Sequence, residues 1–158
     1  MIDPAASPIH HRRVIYLDSN ATSQTDPAVV DAMLPFLREH HANPSAACRS
    51  ARLVRAALEL ARGQVAALLN AEPGEIIFPS GGTEADNAAI ESARQFWPQR
   101  NRLIIGATEH PAVIEPAARW AREGGAVTRI PVCADGIPDL DELKKAASLP
   151  DAALVSIM

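Results

Sequence analysis

Glu75-Ile-Ile-Phe-Pro-Ser-Gly-Gly-Thr-Glu-Ala-Asp-Asn-Ala-Ala-Ile90 is the stretch on which the reading of this chain turns. Residues 75–78 are mainly apolar and read as a short strand. The turn Ser80-Gly81-Gly82-Thr83 then passes without a linker into a helix expected over Gly82–Phe96. A strand joined to a helix by a glycine turn creates an anion site. The glycines let an anion approach the backbone, and free N–H groups with the dipole of the new helix point at it. The hydroxyls of Ser80 and Thr83 add donors. A phosphate-bearing cofactor suits such a site.

Outward from this turn the same alternation continues. Strand 103–107 precedes helix 111–123, strand 127–132 precedes helix Leu140–Ala147, and the apolar run 152–158 reads as another strand. Upstream, 14–17 reads as a strand, and Asp26-Pro27 as a helix start with Asp as N-cap and Pro in the first turn. That helix is expected to run to His40. Residues 45–70 carry Val54, Leu58, Ala61, Val65 and Leu68 at helical spacing, which predicts an amphipathic helix. Strands alternating with helices imply an α/β fold with a mostly parallel sheet. The expected organisation is a disordered tail over 1–13, an N-terminal arm and helix over 14–44, and an incomplete cofactor-binding α/β domain over 45–158. Incompleteness is expected because the last apolar run stops without a cap or turn, and a central parallel strand needs neighbours on both edges.

Composition narrows the function classes. The chain has 158 residues, 47% of them hydrophobic and 22% charged, which suits one soluble domain able to bury a core. Its formal net charge of −4, with no basic stripe, argues against nucleic acid as a partner. No apolar run approaches the roughly 18 residues of a membrane span, and the first residues, with Pro4 and Pro8, lack the apolar core of a signal peptide. A cytoplasmic location is the expectation. Cys48 and Cys133 form no Cys-x-x-Cys pair, so no metal site or disulfide is indicated. Both are expected to be inert and at least half-buried. The pairs His10-His11 and His40-His41 read as solvated surface, since adjacent side chains diverge. Lys144-Lys145, after Asp141-Glu142, reads as a charged helix face.

Several separated segments carry a family resemblance: Tyr16-Leu-Asp-Ser-Asn-Ala-Thr22, Asn43-Pro-Ser45, Ile77-Phe-Pro-Ser-Gly-Gly-Thr-Glu-Ala-Asp-Asn87, Thr108-Glu-His-Pro-Ala-Val113, and Asp135-Gly136 followed by Asp139-Leu140. In this order and spacing the chain resembles the N-terminal part of the NifS/IscS-like cysteine desulfurases. These are class V members of the fold-type-I pyridoxal-phosphate (PLP) enzymes. The resemblance implies the N-terminal part of the aspartate aminotransferase-like large domain, with pyridoxal 5'-phosphate as cofactor. Gly82 and Thr83 match the positions that hold the cofactor phosphate. His110 matches the histidine that stacks on the pyridine ring and assists proton transfer. Asn43 and the Asp18–Thr22 turn match segments around the active site, partly at a dimer boundary. The family reaction converts L-cysteine to L-alanine and leaves an enzyme persulfide, which supplies iron–sulfur cluster assembly through a sulfur-acceptor protein. A homodimer is implied.

Relatives place their pyridinium-pairing aspartate, cofactor lysine, substrate arginine and persulfide cysteine beyond the position of Met158. The two lysines of this chain, Lys144 and Lys145, do not match the cofactor lysine, so the chain alone is expected to be inactive. It departs from the family at Cys48, where a histidine is usual, and at Cys133, where aspartate is common. Neither cysteine matches the persulfide carrier.

Gly-Gly-Thr alone fits an ordinary helix-capping turn equally well, because short glycine motifs recur widely. Its combination with Thr108–Val113 favours the cofactor site. Two alternatives remain open at this point: a non-catalytic module that binds a desulfurase partner, and another class V enzyme, an aminotransferase or selenocysteine lyase.

Overall fold

Leu103, Ile104 and Ile105 are 1%, 0% and 2% exposed, so three consecutive side chains are buried on both faces of one strand. An unbroken apolar run of this kind marks a parallel strand covered on both sides. In the computed structural model, which describes residues 15–158, that strand is β1 (Arg102–Gly106). It is the middle of a three-stranded, all-parallel sheet. β2 (Ala126–Ile130) pairs on one side, with Leu103 opposite Val127, and β3 (Ala152–Ser156) on the other, with Leu103 opposite Leu154.

Two helices cover one face. α3 (Gly82–Phe96) and α4 (Pro111–Arg122) bring Ile90, Val113, Ala117 and Trp120 against Leu103 and Ile105. The other face is covered by α5 (Leu140–Ala147), whose Ala146 packs with Ile104 and Ile130. The chain therefore leaves β1 toward one face and β2 toward the other. Diverging connections of this type open a crevice at the carboxyl ends of adjacent strands. At the opposite edge Arg102 ties all three strands together: its Nε and Nη2 donate to the Asp151 carboxylate at 3.0 Å each, and Nη1 donates to Thr128 Oγ1 at 3.0 Å. The Arg102 guanidinium holds the Asp151 carboxyl below the usual carboxylate range.

The chain falls into two units, the second running Ile77–Met158 and containing the sheet. The unit that ends at Ile76 holds α1 (Pro27–Arg38) and α2 (Arg49–Leu69). Asp26 caps α1 by accepting from the Ala28 N–H at 2.8 Å. α2 starts four residues later than its periodicity predicts. Asn43 Oδ1 accepts from the Ser45 N–H at 2.9 Å, and such a local turn competes with helix for the same backbone groups. Arg55 fixes that turn by donating to the Pro44 and Ala46 carbonyls. Asn70, left-handed at φ 52°, ends the helix.

Two expected strands are not formed. The stretch expected as a strand over 75–78 begins inside a one-turn 3-10 helix, Pro73–Glu75, closed by reciprocal bonds of Glu72 and Glu75. Ile76 beyond it is extended, at φ −93° and ψ 124°, but no strand forms over 75–78. Strand formation is a pairing event, and apolar composition supplies only the tendency. Residues 15–17 likewise form no strand among the described residues, while Val14 and the tail expected over 1–13 lie outside them. Among the described residues no helix is long and apolar enough to cross a membrane.

Candidate functional site

The site is assembled at the beginnings of α3 and α4. Gly81 precedes α3 in a fully extended conformation, at φ 168° and ψ −179°. Among the described residues no side chain caps this helix, which leaves its first N–H groups open to an outside acceptor. A Cβ built at Gly81 or at Gly82 would meet no atom within 4 Å, so open space lies beside the backbone there. The nearest acidic group is held aside: Glu84 Oε2 accepts from the Ser80 N–H at 2.6 Å. Bonds from the Ser80 hydroxyl and then its N–H keep the Glu84 carboxyl below the usual range. One turn on, Asn87 Nδ2 donates to the Thr83 carbonyl at 2.8 Å.

His110 is the N-cap of α4. Its Nδ1 accepts from the Ala112 N–H at 3.1 Å, and Pro111 occupies the first helical position, where a missing N–H costs nothing. A ring nitrogen that accepts a bond carries no proton, so the neutral imidazole keeps its hydrogen on Nε2. The ring is exposed, just beyond the carboxyl end of β1.

Thr83 and Asn87 from α3 and His110, Glu115 and Arg119 from α4 line one open cleft of about 450 Å³. The structure thus brings together two of the residues expected from sequence, Thr83 and His110. Gly82 stands one position before Thr83 as the first residue of α3, and the cleft wall does not include it. Asn43 and the Asp18–Thr22 turn belong to the other unit. That turn is closed by bonds from the Ala21 and Thr22 N–H groups to the Asp18 carbonyl, and by a contact between the Tyr16 and Thr22 hydroxyls.

Sequence reasoning missed the charged side of the cleft. Glu115, Arg119 and Arg122 recur every three or four positions on α4, a spacing that places them on one helix face. Arg119 also reaches Glu91 of α3 at 3.4 Å. Glu91 is bound more closely by Arg94, at 2.8 Å, which holds its carboxyl below the usual range. It missed Glu109 as well. This carboxyl is 7% exposed, and its Oε1 has no hydrogen-bond partner among the described residues. It lies over Gly106, where an added Cβ would come within 3.3 Å of Oε1.

Both cysteines are exposed, contrary to the buried or half-buried state expected of them. Cys48 is the N-cap of α2, a position outside the helix that turns its side chain to solvent. The Ser50 hydroxyl at 3.2 Å, followed by the Ala51 N–H, lowers its thiol pKa. Cys133 sits in a turn where its carbonyl accepts from the Gly136 N–H at 2.9 Å.

The aminotransferase class-V family matches residues 15–158. The chain is 44% identical over 145 residues to a cysteine desulfurase of Nostoc sp. (strain PCC 7120 / SAG 25.82 / UTEX 2576), covering 92% of this chain and 36% of that protein. Among solved structures it is similar to a NifS-like protein, with a TM-score of 0.81 and 36% identity over 91% of this chain and 40% of that one. It is also similar to SspA in complex with cysteine, with a TM-score of 0.80 and 30% identity over 90% of this chain and 41% of that one. The chain thus spans roughly a third of the length of the curated relatives it matches, 36% in the first case.

Proposed function

The chain belongs to the aminotransferase class-V family, and from that membership we propose that it carries the phosphate-binding and ring-stacking part of a PLP-dependent cysteine desulfurase. The single observation behind this reading is that Thr83 and His110, far apart in sequence, line the same cleft. The donor set fits the cofactor. A phosphate needs several N–H and O–H donors with room beside them, and the uncapped start of α3, the Thr83 hydroxyl and the open space at Gly81 and Gly82 supply both. In this reading Gly82 and Thr83 hold the phosphate, and His110 lies against the pyridine ring.

Bound PLP would supply an electron sink for charge developing on the substrate carbon. The protein residues do the rest. Because Nδ1 of His110 is engaged by the Ala112 N–H, Nε2 is the atom left to give or take a proton.

L-Cysteine as substrate is supported by the shared name of the relatives and by the cysteine complex of a similar structure. Release of L-alanine, a persulfide handed to a sulfur-acceptor protein for iron–sulfur assembly, a homodimer and a cytoplasmic location belong to the same proposal. So does a cofactor-binding domain over 45–158 preceded by an arm over 14–44.

The test compares pyridoxine 5'-phosphate with pyridoxine, two ligands without the aldehyde that would label lysines at random. The chain is expected to bind the phosphorylated ligand alone, measured by calorimetry. Thr83→Val should weaken that binding roughly tenfold to a hundredfold, the effect of losing a hydrogen bond to a charged group. Equal binding of both ligands, or an unaffected Thr83→Val variant, would sink the reading.

A further inference from the structure

We propose that Glu84 is a positioning residue: by taking the Ser80 N–H, its carboxylate stretches the Ser80–Gly82 turn and keeps the first N–H groups of α3 free for an anion. The inference rests on the phosphate site proposed above and extends it to a residue outside the cleft wall.

A glutamate at the third helical position ordinarily reaches back to the N–H of the N-cap residue and closes a capping box. Here the N-cap is Gly81, yet Glu84 Oε2 passes it and binds the N–H of Ser80 at 2.6 Å. The residue between is fully extended, at φ 168° and ψ −179°. Among the described residues no atom crowds the two glycines. Positions for a Cβ on Gly81 and Gly82 are empty to 4 Å, and glycine has the widest choice of backbone states of any residue. A flexible turn would have to be ordered when an anion binds, and that ordering weakens binding. The Glu84 bond orders it beforehand from outside. The carboxylate could instead have covered the helix amides themselves, as an internal competitor for phosphate, but it takes none of them.

Two variants of the full chain, compared with the parent, separate positioning from competition, because Glu84→Gln keeps an acceptor oxygen for the Ser80 N–H while removing the charge. Binding of pyridoxine 5'-phosphate should fall about tenfold in Glu84→Ala, the order of effect expected when one turn must be immobilised on binding. Glu84→Gln should stay within about threefold of the parent chain, a rescue that general destabilisation would not give. Hydrogen exchange at the Ser80 amide should quicken in Glu84→Ala and not in Glu84→Gln. Tighter binding in both variants would identify Glu84 as a competitor and overturn the proposal, as would an unchanged Glu84→Ala. If the parent chain fails to bind, the cofactor reading fails, and the tether is judged by exchange alone: equal Ser80 protection in all three chains overturns it.

Discussion

His110 has two jobs in this structure, and substitution can pull them apart. Its Nδ1 caps α4 through the Ala112 N–H, and its ring lines the cleft with Thr83. Replacing a capping side chain by alanine costs about 1 kcal/mol, within a range of 0.5–2. For a unit the size of Ile77–Met158, 1 kcal/mol corresponds to a fall in Tm of about 4–8 °C. Asparagine is among the best capping residues, so His110→Asn should keep most of that stability while deleting the imidazole. The expected pattern is therefore crossed. His110→Ala should lower Tm and weaken pyridoxine 5'-phosphate binding. His110→Asn should lower binding to the same extent, with Tm within a degree or two of the parent. Stacking of an aromatic ring contributes roughly 0.5–1.5 kcal/mol, which predicts a loss of about twofold to tenfold in affinity. Thermal melts followed by circular dichroism and calorimetric titration read the two quantities separately. If His110→Asn melts as low as His110→Ala, the cap is not what Nδ1 provides. If His110→Asn binds as well as the parent, the ring takes no part in the site.

Gly125→Ala should damage the core under α4. The new Cβ would lie 1.9 Å from Trp120 Cδ1 and 2.0 Å from Nε1, near the root of the ring, so the indole must swing and release its bond to the Asn101 carbonyl. Overpacking of about 1–3 kcal/mol plus about 1 for the bond predicts a clearly lower urea midpoint, and an unchanged one would contradict this packing. Asp151→Asn should flatten the acid side of the stability profile. The Asp151 carboxyl is held below its ordinary value of 3.8, so the pair stabilises fully above that pH and loses its effect as pH falls through the lower folded value. With the Asp151 side chain 40% exposed, solvent screening should keep the loss near neutrality small. Parallel acid limbs for the two proteins would refute the assignment.

The second unit was legible in the sequence because its signals are local and agree with one another. α5 runs Leu140–Ala147 as expected, with Asp139 accepting from the Asp141 and Glu142 N–H groups at 3.0 Å each. α3 begins at Gly82, and β1 shows its burial as three apolar residues in a row. What failed depended on partners or on fine backbone chemistry. An apolar quartet at 75–78 cannot announce whether another strand will pair with it. The Asn43 turn moved the start of α2 to Arg49, and exposure of Cys48 followed from its place just before that helix. At the site, motifs pointed to Thr83 and His110. Glu84, Glu115 and Arg119 were overlooked because charges at helical spacing usually mean a solvated face.

The way the three helices of the second unit begin supports the proposal of an anion at α3. α4 is capped by His110 and α5 by Asp139, so the first donors of both are already answered by the chain's own side chains. α3 begins with glycine at its N-cap and first helical position and has no side-chain cap. Unanswered N–H groups at a helix start carry a cost in an apolar surrounding and a modest one in water. Leaving them bare where the turn is open to solvent is therefore tolerable, and it keeps them available to a ligand. The capped helix beside it serves a different end: a bond from its own backbone sets the tautomer and orientation of His110. One helix start thus supplies donors and its neighbour supplies a fixed ring. Swapping these roles by installing Asp at Gly81 should fill the donors of α3 internally and abolish phosphate-dependent binding while raising stability.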